Sequence, residues 1–86
     1  MHFSYSKKFI KQYTKKSIDI KNKFIERQTL LATDFFSPIL NNHKLTGEYE
    51  GCKSINITGD IRAVFEEISE YHVEFVAIGT HSELYS

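Results

Sequence analysis

The sequence contains little of what stabilises or links larger secreted proteins. It has one cysteine, Cys52, one proline and no tryptophan among 86 residues. A single cysteine cannot form an internal disulfide, which agrees with the reducing environment of the cytoplasm. With one proline and four glycines, no stretch resembles a flexible linker. We therefore expect a single cytoplasmic domain covering residues 1–86, with Cys52 as a small strand residue.

Long apolar runs are also absent. No segment approaches the roughly 20 apolar residues that a transmembrane helix needs. The N-terminal residues lack the apolar segment of a signal peptide, and Lys7 and Lys8 follow closely. Apolar residues still make up 41% of the chain, and seven Phe and five Tyr supply much of their volume. The composition predicts a folded domain with no membrane association.

Neither sign of charge is in excess, because eleven basic residues balance eleven acidic ones. That balance alone argues against a nucleic-acid-binding protein. The distribution is uneven, however. Residues 1–47 contain nine basic and three acidic residues, whereas residues 48–86 contain two basic and eight acidic residues. The basic half is compatible with a surface that contacts phosphates, and equally with an ordinary solvated helix surface.

The first half of the sequence predicts one strand and two helices. Residues 3–5 alternate as in a short edge strand, and residues 7–16 and 18–32 carry apolar side chains mostly on one side. These helices should form a hairpin with an apolar side and a basic exposed side. The candidate N-caps are Ser6 for the first helix and Ser17 or Asp19 for the second.

The second half predicts three strands. After a long connection over residues 33–50, segments 53–58, 61–68 and 71–78 alternate in the manner of strands and are separated by short turns. The fold class is therefore α+β, in the order β-α-α-β-β-β, with the helical hairpin packed on one face of an antiparallel sheet. The best core candidates are Ile55, Ile57, Ala63, Phe65, Val73 and Phe75. The opposite, uncovered face should carry Ser54, Asn56 and Arg62.

Three short motifs contain the side chains best suited to chemistry. They are His43–Gly47, Gly59–Arg62 and Gly79–Tyr85. An imidazole transfers protons near neutral pH, and an aromatic ring stacks on a nucleobase. A guanidinium binds two phosphate oxygens with its planar fork. The combination predicts a polar site with groups for proton transfer, phosphate binding and base stacking.

These motifs, taken in order, resemble those of RelE/YafQ-type bacterial toxins, small ribonucleases that cut messenger RNA. The resemblance covers most of the chain and implies the RelE-like fold. It is carried by the first-helix sequence Ser-Lys-Lys-Phe-Ile-Lys-Gln-Tyr, by His43-Lys44-Leu45-Thr46-Gly47, by Gly51-Cys52-Lys53-Ser54, by Asp60-Ile61-Arg62-Ala63-Val64-Phe65, and by Ile78-Gly79-Thr80-His81-Ser82-Glu83-Leu84-Tyr85.

The resemblance implies a type II toxin that cleaves mRNA on the ribosome, without a metal or other cofactor. The ribose 2′-OH attacks the adjacent phosphate in such a reaction. The implied catalytic residues are His43, Asp60, Arg62, His81 and Tyr85, with Lys44, Lys53 and Asn56 as substrate-binding residues. The implied partners are a cognate antitoxin, mRNA and the ribosome, with DNA contacted only through the antitoxin complex.

The chain departs from the family pattern at Asn56, where the YafQ branch usually has a histidine. An amide cannot exchange protons near neutral pH. Two alternatives therefore stay open: a catalytically weakened family member that binds its antitoxin, and a non-catalytic toxin resembling ParE, which acts on DNA gyrase. The set of His43, Asp60 and His81 favours the enzyme over ParE. Arg62 is also compatible with a simple ion pair to Glu66 or Glu74.

Overall fold

A computed structural model describes residues 1–85 as five strands, three α-helices and two 3₁₀ turns. None of the helices in this range is long and apolar enough to cross a bilayer. The strands are β1 (His2–Tyr5), β2 (His43–Lys44), β3 (Lys53–Asn56), β4 (Ile61–Ser69) and β5 (His72–Thr80). The helices are α1 (Lys7–Thr14), α2 (Ile18–Thr33) and α3 (His81–Tyr85), and the 3₁₀ turns span Pro38–Leu40 and Gly47–Tyr49.

Serine caps start both long helices: Ser6 as predicted, and Ser17, one of the two candidates for the second helix. The Ser6 hydroxyl accepts a hydrogen bond from the Phe9 amide at 3.0 Å, and the Ser17 hydroxyl accepts one from the Ile20 amide at 3.3 Å. Each cap satisfies an amide that has no partner within the helix. Ser17 is thus the cap of α2, and Asp19 lies in its first turn.

The sheet is mixed rather than antiparallel throughout, which corrects the sequence-based prediction. Its strand order is β1-β5-β4-β3-β2, and β1 runs parallel to β5 at the edge. A parallel pair needs a crossover connection, and the helical hairpin is part of it. Beyond the end of β1, α1 covers the edge of β5: the Gln12 side-chain oxygen accepts from the Ile78 amide at 2.9 Å.

The connection over residues 33–50 is more ordered than the sequence indicates. It contains both 3₁₀ turns and the two-residue strand β2, in which His43 pairs with Ser54 of β3. A strand this short has no alternation to detect, so the sequence pattern missed it. The pairing of β2 with β3 places His43 beside the strand that carries Ser54 and Asn56.

The main core fills the space between the sheet and the helical hairpin. All six predicted core residues are buried there, together with Phe9, Phe24, Leu31 and others. Phe75 lies at the centre, and its ring is 4.9 Å from that of Phe24 and 5.9 Å from that of Phe65 between centroids. Aromatic pairs at such distances contribute beyond their buried area, which suits a domain with so many Phe residues.

The opposite face of the sheet is not uncovered, contrary to the prediction. A second, smaller core covers it, formed by Tyr49, Val64, Ala77 and Leu84. Val64 and Ala77 are paired neighbours on β4 and β5, and α3 and the Gly47–Tyr49 turn fold over them. The open part of this face is restricted to the end where Asn56 and Arg62 pair.

Candidate active site

The helix α3 folds back over the end of β5 because of a reciprocal capping arrangement. The Thr80 hydroxyl accepts from the Glu83 amide at 3.1 Å, and the Glu83 carboxylate accepts from the Thr80 amide at 2.8 Å. This bond holds the pKa of Glu83 below its usual value, with help from Lys16. A Cβ atom at Gly79 would lie 3.0 Å from the Glu83 carboxylate, so the glycine permits the close approach.

The capping arrangement places His81 and Tyr85 beside the residues of β2 and β4. Together they line an open cleft of about 420 Å³. The lining residues are His43, Lys44, Leu45, Thr46, Arg62, His81 and Tyr85. Four of the five predicted catalytic residues therefore meet in one cleft, although they come from three separate elements.

Arg62 lies half-buried in the floor of this cleft and is held by neutral oxygens. Its Nε and Nη2 atoms donate to the Ser54 hydroxyl at 3.0 and 2.7 Å, and its Nη1 donates to the Asn56 side-chain oxygen. No ion pair in the described part of the chain involves Arg62, so the pairing with Glu66 or Glu74 is not observed. Burial lowers the pKa of Arg62, but an arginine stays charged at neutral pH.

His43 makes two contacts through one ring nitrogen. Its Nδ1 lies 2.9 Å from the Asn41 carbonyl oxygen and 3.1 Å from Arg62 Nη2. Asn41 has a φ of 46°, in the left-handed region that asparagine tolerates better than most residues. His43 is exposed, and its position depends on these two neighbours.

An aromatic group forms the other wall of the cleft. The His81 and Tyr85 rings are 4.8 Å apart, and Tyr85 meets the buried Tyr49 edge-on at 5.8 Å. Lys8 of α1 donates a 2.8 Å hydrogen bond to the Tyr49 hydroxyl, which raises the pKa of Lys8. The basic helix α1 is thereby linked to the wall of the cleft.

Asp60 lies close to the cleft but does not line it. It borders an adjacent hollow of about 320 Å³ together with Arg62 and His81, which separate the two spaces. Its backbone amide donates to the Thr58 hydroxyl at 3.3 Å, as in a turn. Asp60 therefore has a local structural contact as well as a position beside two site residues.

The three predicted substrate-binding residues have different positions. Lys44 is exposed in the cleft, and Asn56 contacts Arg62 beneath it. Lys53 is not brought to the cleft: it pairs with Glu67 and its ammonium lies 5.3 Å from the centre of the Phe35 ring. Strand alternation explains this, since Lys53 shares the helix-covered face with Ile55.

Sequence reasoning missed three residues that support the site, Asn41, Ser54 and Tyr49. Alternation placed Ser54 on the polar face. Its hydrogen bonds to Arg62 could be predicted only from the register between β3 and β4. The tolerance of asparagine for left-handed backbone is a signal at Asn41, yet many loop asparagines share it.

A metal site would need a group of ligating side chains. Residues 1–85 contain no group of three or more His, Cys, Asp or Glu side chains that could hold a metal ion.

The fold is that of known bacterial toxins. The structure of YafQ from E. coli strain BL21(DE3) matches with a TM-score of 0.82 and 20% identity, covering 98% of this chain and 97% of that one. YafQ in the E. coli DinJ–YafQ complex matches at 0.76 with 21% identity, covering 98% and 97%. The YoeB–YefM complex from Staphylococcus aureus matches at 0.76 with 16% identity, covering 94% and 97%. No individual curated protein sequence matches significantly.

The family is identified by the whole sequence. Residues 1–86 match the family described as the bacterial toxin of type II toxin–antitoxin systems, YafQ. The chain therefore belongs to the YafQ family of type II toxins, which confirms the resemblance read from its motifs and the RelE-like fold.

Proposed function

We propose that this chain is a metal-independent endoribonuclease that cleaves mRNA on the ribosome. The observation that carries the proposal is the meeting of two imidazoles, a charged guanidinium and a tyrosine ring in one cleft, contributed by His43, His81, Arg62 and Tyr85. These are the groups needed to remove a proton, donate a proton, stabilise a phosphorane-like charge and stack on a base.

The proposed reaction is attack of a ribose 2′-OH on the adjacent phosphate. His43 accepts the 2′-OH proton as the new P–O bond forms. His81 donates a proton to the 5′ oxygen as the old P–O bond breaks, leaving a cyclic phosphate and a 5′-OH. Arg62 stabilises the charge on the phosphate, and Asp60, which borders the neighbouring hollow with Arg62 and His81, completes the acid–base set. Tyr85 stacks on a flanking base.

The proposed protein partner is a cognate antitoxin. The support is membership of a type II toxin family and the complexes that relatives form, YafQ with DinJ and YoeB with YefM. Contact with DNA takes place only through that complex. Lys44 in the cleft and the lysines of α1, linked to the cleft by Lys8, are suited to RNA phosphates.

Primer extension on mRNA from cells expressing the chain tests the proposal. Discrete cuts within translated codons are expected. An otherwise identical culture that expresses a variant with both cleft histidines replaced, His43→Ala and His81→Ala, is the control and should show intact mRNA. Growth arrest with intact mRNA and arrested gyrase would instead support a toxin that acts like ParE.

A further inference from the structure

The contacts around Arg62 leave its charge uncompensated while fixing its direction. The hydroxyl of Ser54, which is 1% exposed, accepts from two guanidinium nitrogens, and Asn56 accepts from a third. Asn56 pairs directly with Arg62 across β3 and β4. Neutral acceptors orient the group without cancelling its attraction for an anion, whereas a carboxylate in either place would form an ion pair. Ser54 and Asn56 are positioning residues for Arg62.

The second observation is the conflict at His43 Nδ1. The Asn41 carbonyl, at 2.9 Å, accepts hydrogen bonds only, and the Arg62 guanidinium, at 3.1 Å, donates them only. A protonated Nδ1 satisfies Asn41 but opposes Arg62. An unprotonated Nδ1 satisfies Arg62 but opposes Asn41, whose carbonyl oxygen then keeps only a long contact of 3.5 Å with Arg62 Nη2. The neutral ring holds one proton, so whichever neighbour prevails at Nδ1 fixes the state of Nε2.

We propose that Arg62 controls the tautomer of His43, and that binding of a phosphate releases this control. In the phosphate-free protein, Arg62 donates to Nδ1 and the ring proton resides on Nε2, so that Nε2 has no lone pair with which to accept a proton. A bound phosphate takes over the Arg62 Nη2 donor. Solvent exchange then returns the proton to Nδ1, which donates to the Asn41 carbonyl, and the Nε2 lone pair becomes available.

The catalytic role of this switch rests on the proposed function. The His43 base becomes competent only when a phosphate occupies the cleft, and the Asn41 carbonyl then stabilises the imidazolium that forms when Nε2 accepts the 2′-OH proton. Asn41 is thus a positioning residue, and its left-handed backbone serves to aim this carbonyl.

Nitrogen-15 NMR of the histidine rings tests the switch without any cleavage. The probes are inorganic phosphate and a short RNA whose 2′-O-methyl groups prevent the reaction. Each should move the His43 Nδ1 signal from that of an unprotonated towards that of a protonated nitrogen. Chloride at equal ionic strength should not. The His72 ring, bonded to Ser4 away from the cleft, is the internal control.

The variant Arg62→Lys tests the cause directly, since lysine lacks the fork that reaches His43. Its His43 should be protonated at Nδ1 already without phosphate. An unchanged Nδ1 protonated fraction in this variant, or no response of the unaltered chain to either probe, would overturn the switch. Cleavage of ordinary RNA with no tautomer change would support the proposed function and contradict the switch. A tautomer change without cleavage would support the switch and contradict the proposed function.

Discussion

At the scale of single residues, His81 is the side chain whose replacement separates catalysis from folding most cleanly. It is exposed, and the ring contact described for it is with Tyr85. The variant His81→Ala should reduce mRNA cleavage about 10²–10⁴-fold, the usual contribution of a general acid. Its melting temperature and antitoxin binding should be nearly unchanged.

The matched control for this variant is His2→Ala. His2 is also exposed and also contacts one ring, that of His72 at 4.6 Å, but it lies on β1 away from the cleft. Its replacement should leave growth arrest intact. If His81→Ala remains fully toxic at matched expression, the catalytic assignment is wrong and inhibition of gyrase becomes the better hypothesis.

Tyr85 distinguishes stacking from proton transfer. Its ring rests against Tyr49 and His81 and is 38% exposed, which leaves a surface for a base. Tyr85→Phe keeps the ring and should lower the cleavage rate by less than about threefold, whereas Tyr85→Ala should weaken substrate binding by about 1–3 kcal/mol. Single-turnover rates and KM measured for both variants would check this. A severe loss in Tyr85→Phe would show that the hydroxyl takes part in chemistry.

Asn56→His restores the residue common in the YafQ branch, and the sequence predicts that activity is kept or raised. The contact with Arg62 adds a condition, because a neutral imidazole offers one acceptor nitrogen and a protonated one offers none. The ratio of variant to original cleavage rate should be near or above one at pH 8 and fall below about pH 6.5. A ratio that is independent of pH would show that position 56 does not support Arg62.

At the scale of elements, α3 depends on one ionised carboxylate. The folded-state pKa of Glu83 is below its usual value. Its stabilising effect is therefore fully present above the unfolded pKa of about 4.3 and is lost as the pH falls through the lower folded value. We expect α3 to fray below about pH 4, seen as a loss of helical Cα shifts for residues 81–85. Glu83→Gln should abolish this pH dependence. An identical transition in that variant would show that a group other than Glu83 causes it.

The elements also show what local sequence information can predict. The serine caps, the three long segments of the meander and the six core residues follow from neighbours in the sequence, and all were correct. The parallel pairing of β1 with β5 and the tiny strand β2 depend on distant partners, and both were missed. In the site, alternation placed Asn56 and Arg62 together correctly. Lys53 was assigned to substrate binding, although the same alternation places it on the helix-covered face. Its ammonium pairs there with Glu67.

At the scale of the whole molecule, helix α1 carries basic charge that is linked to the cleft, because Lys8 donates to Tyr49 in the wall of the cleft. Lys7, Lys11 and Lys15 on the same helix are exposed. Reversing the three exposed lysines to Glu should weaken ribosome co-sedimentation and flatten its dependence on salt, because fewer phosphate contacts release fewer counterions. Reversal of Lys21 and Lys23 on α2 is the control. Unchanged co-sedimentation in the triple variant would remove the helical surface from the interface.

The pairing of β1 with β5 has a consequence for the moment at which such a protein becomes active. The ribosome makes β1 early, but its partner β5 is the last strand of the sheet to be made. His2, for example, can pair only after His72 has been synthesised. Contacts so far apart along the chain form late, because a long loop must close first. His81 and Tyr85 follow β5 directly, so the sheet and the cleft are completed together. The cleft therefore cannot form until the chain has been synthesised through Tyr85, well after the residues of the helical hairpin have been made.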